Sequence, residues 1–418
     1  MNRSLLFQKW TWAVLCLFLA GNAFSSTMTI NSNKVFVLDG KKIFPIGFTM
    51  PPPPDGKTTS GKNGIAELSD AGANFLRTGA QRTGWNAETI QREKNYEAAA
   101  AKYGMHCLVY LHDLASIKPG LSAKKSEAKL RDIVNQFKNN PGFGAWKGAD
   151  EPEWGKIPVE NLSRARSVIR ALDTHHPMIL IQAPRGTIAD LRAYNPTSDA
   201  LGADIYPISE PAGGHSEFHT NTEISLVGDY TRKMMAVANG QQPVMMTLQI
   251  AWSGTTRPGK KLIMPTLAQE RFMTYEAIIN GARGLLDFGG NITNAMSPAD
   301  AKLGWNWTFW NQVLRPVVSE IGEKSPLYPA LVEPNSTLSI KCNTSDMEYC
   351  IRELGSEIFL LACKRNAGAT DVTFTNLPTT ARNNTVLFES RSAPQIQQGT
   401  FTDRFNQFDV HVYRFQRN

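Results

Sequence analysis

The fold class follows from residues 142–206, which read GFGAWKGADEPEWGKIPVENLSRARSVIRALDTHHPMILIQAPRGTIADLRAYNPTSDALGADIY. Two short apolar runs, Phe143–Ala149 and Met178–Gln182, have the length and residue types of buried strands. Between them, Pro158–Asp173 has apolar residues at the spacing of an amphipathic helix. A strand, a helix and a second strand in this order predict a βαβ unit with parallel strands.

The same alternation extends in both directions, from Ile43 to about Pro326. The predicted strands are Phe44–Thr49, Asn74–Thr78, Cys107–Leu111, Phe143–Ala149, Met178–Gln182, Ala203–Tyr206, Val244–Gln249 and Gly284–Phe288. The predicted helices are Gly64–Ala71, Ala87–Tyr103, Ala123–Asn139, Pro158–Asp173, Thr187–Leu191, Thr222–Asn239, Thr266–Asn280 and Trp307–Ile321. Eight strands, each followed by a helix, predict an α/β fold of the closed (βα)8 TIM barrel type. An open doubly wound sheet is the alternative, disfavoured because no GxGxxG motif follows the first strand.

The segments on either side of the barrel have the pattern of antiparallel β-structure. Before it, Met28–Lys42 predicts a hairpin, with Asp39-Gly40 at its turn, that plugs the barrel bottom or extends the second domain. After Pro326, β-rich runs without helices predict an antiparallel β-sandwich: Ser336–Cys342, Tyr349–Glu353, Ile358–Lys364, Asp371–Leu377, Asn384–Phe388 and Phe408–Phe415. We therefore expect a barrel with its hairpin at residues 27–328 and a β-sandwich domain at 329–418.

The first 26 residues have the composition of a secretory signal peptide. Arg3 and Lys9 accompany an apolar run, Trp10–Ala20, and small residues follow, so cleavage is expected near Ala23 or Ser26. An anchoring helix is the alternative, but the run is short for that role and no later segment reaches about 18 apolar residues. We expect a secreted or periplasmic protein without stable membrane insertion.

Composition argues against several classes of function. The 418 residues carry 44 Lys+Arg and 37 Asp+Glu, and the excess is spread without a basic block, so nucleic acid is not an expected partner. No CxxC motif or His/Cys cluster is present, and neither a metal nor an organic cofactor is expected. Cys107 is expected to be a buried thiol, whereas Cys342 and Cys350 flank a polar turn and could close a disulfide. The sequence indicates no particular oligomeric state.

The strongest functional signal is the end of the fourth predicted strand, Asp150-Glu151-Pro152, with Trp146 and Trp154 close by. Residues at the carboxyl ends of barrel strands share one mouth, and Pro152 fixes the backbone around Glu151. Adjacent carboxylates and a nearby indole make ionisation more costly, which raises a pKa toward the value that a general acid needs. The alternative is a helix N-terminus at which acidic residues interact with the dipole.

Other strand ends bring polar and aromatic side chains to the same mouth. The sixth strand leads to Asp204, and a carboxylate in an apolar strand is costly unless it is paired or used. Its alternative role is to bond loop backbone or Arg77. Buried packing or structural hydrogen bonding is also open for His112 and Trp252. We expect the substrate to be bound by Arg77, His112, Trp146, Tyr206, Gln249, Trp252 and Asp287.

These stretches resemble a known superfamily. The order of parts resembles the retaining (βα)8-barrel glycoside hydrolases, in which an Asn-Glu-Pro-like end of strand four supplies the acid/base. The stretches GAWKGADEP, LGADIYPI, PVMMTLQIAW and PTLAQERFMTYEAIINGARGLLDF resemble a group of secreted barrel proteins in that superfamily, over residues 40–325. The resemblance implies a carbohydrate substrate and Glu151 as the acid/base.

The sequence departs from the superfamily pattern at two positions. Asp150 stands where asparagine is usual, and Gln249 stands where strand seven should end in the nucleophilic glutamate. Because an amide cannot form a glycosyl ester, the usual double displacement is in doubt. Either Asp204 or Asp287 acts as a base on water with inversion, or Asp204 is the nucleophile, or the protein only binds glycan.

We favour inversion in the hydrolysis of a poly- or oligosaccharide, with Glu151 as acid, Asp204 as base and Asp150 tuning the pair. The two carboxyl groups of an inverting enzyme are about 6.5–9.5 Å apart. A catalytically inactive carbohydrate-binding barrel is the first alternative. A metal-assisted esterase is the second, disfavoured by the shortage of histidines at strand ends.

Overall fold

The computed structural model describes residues 25–81, 83–183, 185–217, 219–250 and 261–417. A small antiparallel sheet comes first, formed by β1 (Met28–Ile30), β2 (Phe36–Leu38) and β3 (Lys41–Ile43). Asp39 and Gly40 join β2 to β3 with positive φ angles, the conformation that a tight hairpin turn requires. Side chains of all three strands pack against the lower interior of the barrel. The predicted hairpin therefore exists, gains a third strand and plugs the bottom.

Eight parallel strands form the barrel: β4 (Ile46–Thr49), β5 (Phe75–Gly79), β6 (His106–Tyr110), β7 (Phe143–Asp150), β8 (Met178–Gln182), β9 (Ala200–Ala203), β11 (Met245–Gln249) and β13 (Gly284–Phe288). Two short strands between them, β10 (Ser209–Glu210) and β12 (Lys261–Leu262), pair with each other. The ring closes between β9 and β11, where Leu201 pairs with Val244 and Asp204 with Thr247. This closure confirms the barrel and excludes the open sheet.

In the described part of the chain, the α-helices that precede β13 are α1 (Gly64–Ala71), α2 (Ala87–Lys102), α3 (Ala123–Phe137), α4 (Val159–Leu172), α5 (Ile188–Arg192), α6 (Leu226–Ala238) and α7 (Leu267–Ile279). After β13 come α8 (Pro298–Leu303), α9 (Trp307–Phe309), α10 (Arg315–Ile321) and α11 (Tyr328–Leu331). The predicted helix Trp307–Ile321 is therefore divided, with a π-helical turn at Trp310–Leu314 between α9 and α10. Pro316 lies at the start of α10 and has no N–H to donate, so the regular α-helical bonding cannot continue through it.

The C-terminal region is a β-sandwich, as predicted. Its strands are β14 (Lys341–Cys342), β15 (Met347–Leu354), β16 (Glu357–Lys364), β17 (Thr370–Thr375), β18 (Ala381–Leu387), β19 (Phe401–Phe405) and β20 (Val410–Arg417). One antiparallel sheet has the order β14-β17-β19 and the other the order β15-β16-β20-β18. One face of the second sheet packs on α7, through buried residues that include Phe359, Leu361 and Val412. The barrel and the sandwich therefore share a hydrophobic contact.

The cysteines among the described residues are all free thiols. Cys107 is buried, as predicted. The disulfide that Cys342 and Cys350 could close is not formed, and the two residues lie on β14 and β15, which do not pair with each other. The two thiols therefore lie in different sheets. Among the residues that the structure describes, no helix has both the length and the apolar character needed to cross a membrane.

Candidate active site

Alternation along the barrel strands decides which side chains reach the mouth. The lower interior, above the N-terminal sheet, contains Phe75, Leu108, Ala145 and Leu286. Side chains two residues further along a strand point to the same side. The next interior layer, toward the carboxyl ends of the strands, is therefore formed by Arg77, Tyr110, Lys147 and Phe288. This layer is the floor of the mouth.

Glu151 and Asp204 meet at the mouth as a hydrogen-bonded carboxyl pair, which we call the mouth pair. Glu151 follows β7 with a positive φ of 43°, and its N–H donates to the carbonyl of Ile181 at 2.9 Å. Asp204 follows β9, and its N–H donates to the carbonyl of Gln182 at 3.2 Å. Asp204 is only 9% exposed, whereas Glu151 is partly exposed. The pair is thus accessible from the side of Glu151.

The surroundings of the mouth pair favour protonation. Burial raises the pKa of both carboxyl groups, and the negative charge of Asp150 raises both further. The hydrogen bond to Asp204 lowers the pKa of Glu151, whereas the charge of Glu151 raises that of Asp204, so the pair titrates as a unit that holds one proton between two carboxyls. Direct contact leaves no space for a water between them, so the expected separation of about 6.5–9.5 Å is wrong.

Lys147 anchors the floor of the mouth beneath this pair. Its Nζ lies 2.5 Å from Oδ1 of Asp150 and 4.6 Å from the ring centroid of Tyr110. The guanidinium carbon of Arg77 is 5.2 Å from the same ring. Burial acts to raise the pKa of Asp150, but the charges of Lys147 and Arg77 outweigh it, and the pKa is lowered. Asp150 therefore stays ionised beside a pair that keeps a proton.

Aromatic side chains and a histidine complete the lining of the mouth. The hydroxyl of Tyr206 donates to Asp204, and its ring stacks on Phe288 with centroids 5.3 Å apart. The ring of His112 lies edge-on to Tyr110, with centroids 5.5 Å apart. Of the residues predicted to bind substrate, Arg77, His112 and Tyr206 are therefore brought together around the mouth pair.

Gln249 has a different role from the one expected. It is fully buried, and its Nε2 donates to the carbonyls of Ile208 and Ile263, both at 2.9 Å. Its Oε1 accepts from the N–H of Ile208, also at 2.9 Å. Both donors of the amide are used, so Gln249 fastens the segments that contain β10 and β12 and does not face a substrate. A glutamate has no donors for these two carbonyls, which explains the amide at this position.

Trp146 and Asp287 lie outside the mouth, so the prediction that they contact substrate is wrong. Trp146 is fully buried, and because its sequence neighbours Ala145 and Lys147 face the barrel interior, its own side chain faces the helices. Its indole N–H donates to Asp173 at 2.8 Å. Asp287 follows the inward-facing Leu286 and therefore faces α7, where it influences the buried Glu270. Burial raises the pKa of Asp287 to about 7, and burial together with Asp287 raises that of Glu270. We call Asp287 and Glu270 the wall pair.

Two tryptophans near the predicted site remain. Trp154, in the turn that follows Glu151, is 51% exposed, and the guanidinium carbon of Arg185 lies 3.7 Å from its ring centroid. The sequence places Trp154 near the acid but assigns it no role. Trp252 lies outside the described residues.

One group in the described part of the chain has the spacing of metal ligands, and it lies away from the mouth. The ligand atoms of Glu276, Glu348 and Cys363, between α7 and the sandwich, lie within 4.8 Å of one another. Glu348 is already bound by the guanidinium groups of Arg232 and Arg365. Two arginines oppose a cation at this position, and we assign no metal to it.

Solved structures similar to this one are glycoside hydrolases. A structure described as a glycoside hydrolase has 12% identity and a TM-score of 0.59, covering 94% of this chain and 97% of that chain. A family 5 glycoside hydrolase from Bacteroides vulgatus ATCC 8482 has 12% identity and a TM-score of 0.61, covering 94% of each chain. The family 30 subfamily 8 xylanase Xyn30A from Clostridium acetobutylicum has 11% identity and a TM-score of 0.53, covering 94% of this chain and 98% of that chain. No protein-family model and no curated protein matches the chain. The chain thus has the (βα)8 fold of glycoside hydrolases, with a C-terminal β-domain.

Proposed function

We propose that the protein is a glycoside hydrolase of a poly- or oligosaccharide, with Glu151 as its general acid. The observation that carries this proposal is the mouth pair: two hydrogen-bonded carboxyls at the carboxyl ends of barrel strands, one of them partly exposed. A general acid must hold a proton near neutral pH, and burial together with Asp150 raises the pKa of Glu151 in that direction. The fold shared with glycoside hydrolases supports the reaction class.

The contact between the two carboxyls changes the mechanism from the one expected at first. Glu151 donates its proton to the departing glycosidic oxygen as the bond from the anomeric carbon to that oxygen breaks. The mouth pair then carries two negative charges, and it takes a proton from the water whose oxygen bonds to the anomeric carbon. Asp204 is in this proposal the partner that shares this proton with Glu151 through their hydrogen bond, and Tyr206 donates a hydrogen bond to Asp204.

The test compares Glu151→Gln with Glu270→Gln, a matched change of a buried carboxyl in the wall pair. Loss of a general acid is expected to lower the rate of hydrolysis by about 100- to 10,000-fold, since the amide has no proton to donate to the leaving oxygen. The Glu270→Gln chain should stay within about threefold of the unaltered chain. Release of reducing sugar from a panel of polysaccharides measures both. An unaltered chain that binds glycans from the panel but releases no sugar would favour the inactive binding barrel.

We also propose that the protein is secreted or periplasmic, on the basis of its first 26 residues. Ser26 is buried, its Oγ donates to the carbonyl of Phe143, and its own carbonyl lies 2.8 Å from Nε2 of His176. These contacts favour cleavage near Ala23 over cleavage after Ser26, because the mature chain then keeps them. Amino-terminal sequencing of the exported protein tests this, and a start beyond Ser26 would contradict it.

A further inference from the structure

A tryptophan beside the mouth is half exposed. Trp154 is 51% exposed, whereas Trp305, Trp307 and Trp310 are almost completely buried. Single exposed apolar residues are common on protein surfaces, so exposure alone assigns no role. The position of Trp154 relative to Glu151 supplies the argument.

Trp154 lies in the backbone turn that begins at Glu151. The N–H of Gly155 donates to the carbonyl of Glu151 at 2.9 Å, which closes one turn of helical type. The turn brings Glu151 and Trp154, three residues apart, to the same edge of the mouth, and Arg185 lies close to both. The turn is fixed to the barrel, because the N–H of Glu153 donates to the side-chain amide of Gln182 at 3.2 Å. The backbone that bears both residues is therefore held against the barrel.

One face of the indole is occupied. The guanidinium carbon of Arg185 lies 3.7 Å from the ring centroid of Trp154, the distance of a cation–π contact. Arg185 is also close enough to Glu151 for its charge to act on that carboxyl. The cation orients the ring, and the remaining indole surface is the exposed part beside the acid.

We infer that Trp154 forms a second sugar subsite next to Glu151, which binds the ring neighbouring the one that is cleaved. The axial C–H groups on one face of a sugar ring pack on an aromatic surface, whereas its hydroxyl groups point outward to water. The inference rests on the proposed function and assigns the binding of the neighbouring ring to one side chain. The substrate is a chain of two or more rings, not a single sugar on a small leaving group.

The experiment measures binding in the Glu151→Gln chain, so that it does not depend on hydrolysis. Calorimetric titrations use cello-, xylo- and manno-oligosaccharides and the corresponding single sugars as probes. Adding Trp154→Ala is expected to weaken binding of the oligosaccharides by roughly 10-fold, the size of a good aromatic contact, and to leave the single sugars unchanged. Trp154→Phe should restore part of the loss. Phe388→Ala, at an exposed aromatic of the sandwich, is the control and should have no effect.

The outcomes separate this inference from the proposed function. Equal loss on single sugars and oligosaccharides, unchanged affinity, or no binding of any probe would overturn the second subsite. If binding depends on Trp154 while Glu151→Gln does not alter hydrolysis by the otherwise unaltered chain, the subsite stands and the role of Glu151 as acid is wrong.

Discussion

The mouth pair and the wall pair are two buried carboxyl pairs of one barrel with different surroundings. In both, burial is the first cause of a raised pKa. Glu151 is partly exposed, hydrogen-bonded to Asp204 and close to Lys147. Glu270 is fully buried, and neither of its carboxylate oxygens has a hydrogen-bond partner in the described part of the chain. A raised pKa therefore does not by itself identify a catalytic group, whereas access from the mouth separates the two pairs.

The largest expected effect tests whether the two pairs differ in function. Asp204→Asn removes the carboxyl that shares the proton with Glu151, so kcat/KM should fall by about 100-fold or more. Asp287→Asn is the same chemical change in the wall pair and should leave kcat/KM within about threefold. Steady-state rates on one oligosaccharide measure both. Equal losses in the two variants would remove the distinction between the pairs.

The wall pair should instead affect stability. Folded Asp287 keeps its proton up to a pKa of about 7, whereas an unfolded aspartate loses it near its ordinary value of 3.8. As the pH rises, the unfolded chain releases the Asp287 proton before the folded chain does. The raised pKa of folded Asp287 therefore makes the free energy of unfolding fall as the pH rises from about 4 to 7, with no further change above pH 7. Because asparagine does not titrate, the stability of Asp287→Asn relative to the unaltered chain should rise over that window, by up to about 4 kcal/mol.

Urea unfolding below, within and above this pH window measures the difference. Glu270→Gln should change the same pH dependence, since the two wall carboxyls titrate together. A constant difference between Asp287→Asn and the unaltered chain at all pH values would mean that folding does not shift the pKa of Asp287.

A smaller effect is expected where the mouth is held in position. Gln249→Glu places a carboxylate against the carbonyls of Ile208 and Ile263 and removes two donors, so the segments around β10 and β12 should shift. We expect kcat/KM to fall by about 10- to 100-fold, because small displacements near the reacting groups have effects of this size. Gln249→Met, which has no charge, should lose less. An increase in activity with glutamate would show that position 249 reaches the anomeric carbon.

Most of the barrel could be predicted because strands and helices leave different periods in the sequence. The exceptions have local causes. The sixth strand lies at Ala200–Ala203, earlier than predicted, because Gly202 interrupts its apolar pattern and the more apolar-looking Ile205-Tyr206 follows it. The strand Phe401–Phe405 was missed because its exposed charged residues, Asp403 and Arg404, conceal the alternation of its two buried phenylalanines.

The site was less predictable because sequence does not give the direction of each side chain. In β7 the register shifts between Lys147 and Asp150, so both side chains reach the same region although simple alternation would separate them. Strand β13 reads GLLDF, and two adjacent leucines conceal which side of the strand Asp287 occupies. Lys147 is the one cation in the apolar run Phe143–Ala149, and this is the signal in the sequence that marks it as a site residue. The hydrogen bond within the mouth pair depends on the placement of two separate loops.

The smallest expected effect concerns the influence of Asp150 on the mouth pair. The negative charge of Asp150 raises the pKa of Glu151, so Asp150→Asn should lower that pKa. The positive charge of Lys147, which Asp150 no longer neutralises in this variant, also lowers the pKa of Glu151. Glu151 must be protonated to act as an acid, and activity is lost as the pH rises through its pKa. The alkaline limb of kcat/KM should therefore move to lower pH in Asp150→Asn, with little change in the rate at acidic pH. Asp132→Asn, at an exposed carboxyl on α3, is the matched control and should leave the limb in place. A limb that stays in place or moves to higher pH would mean that the charge of Asp150 does not raise the pKa of Glu151, and loss of activity at every pH would mean that Asp150, and not Glu151, supplies the proton.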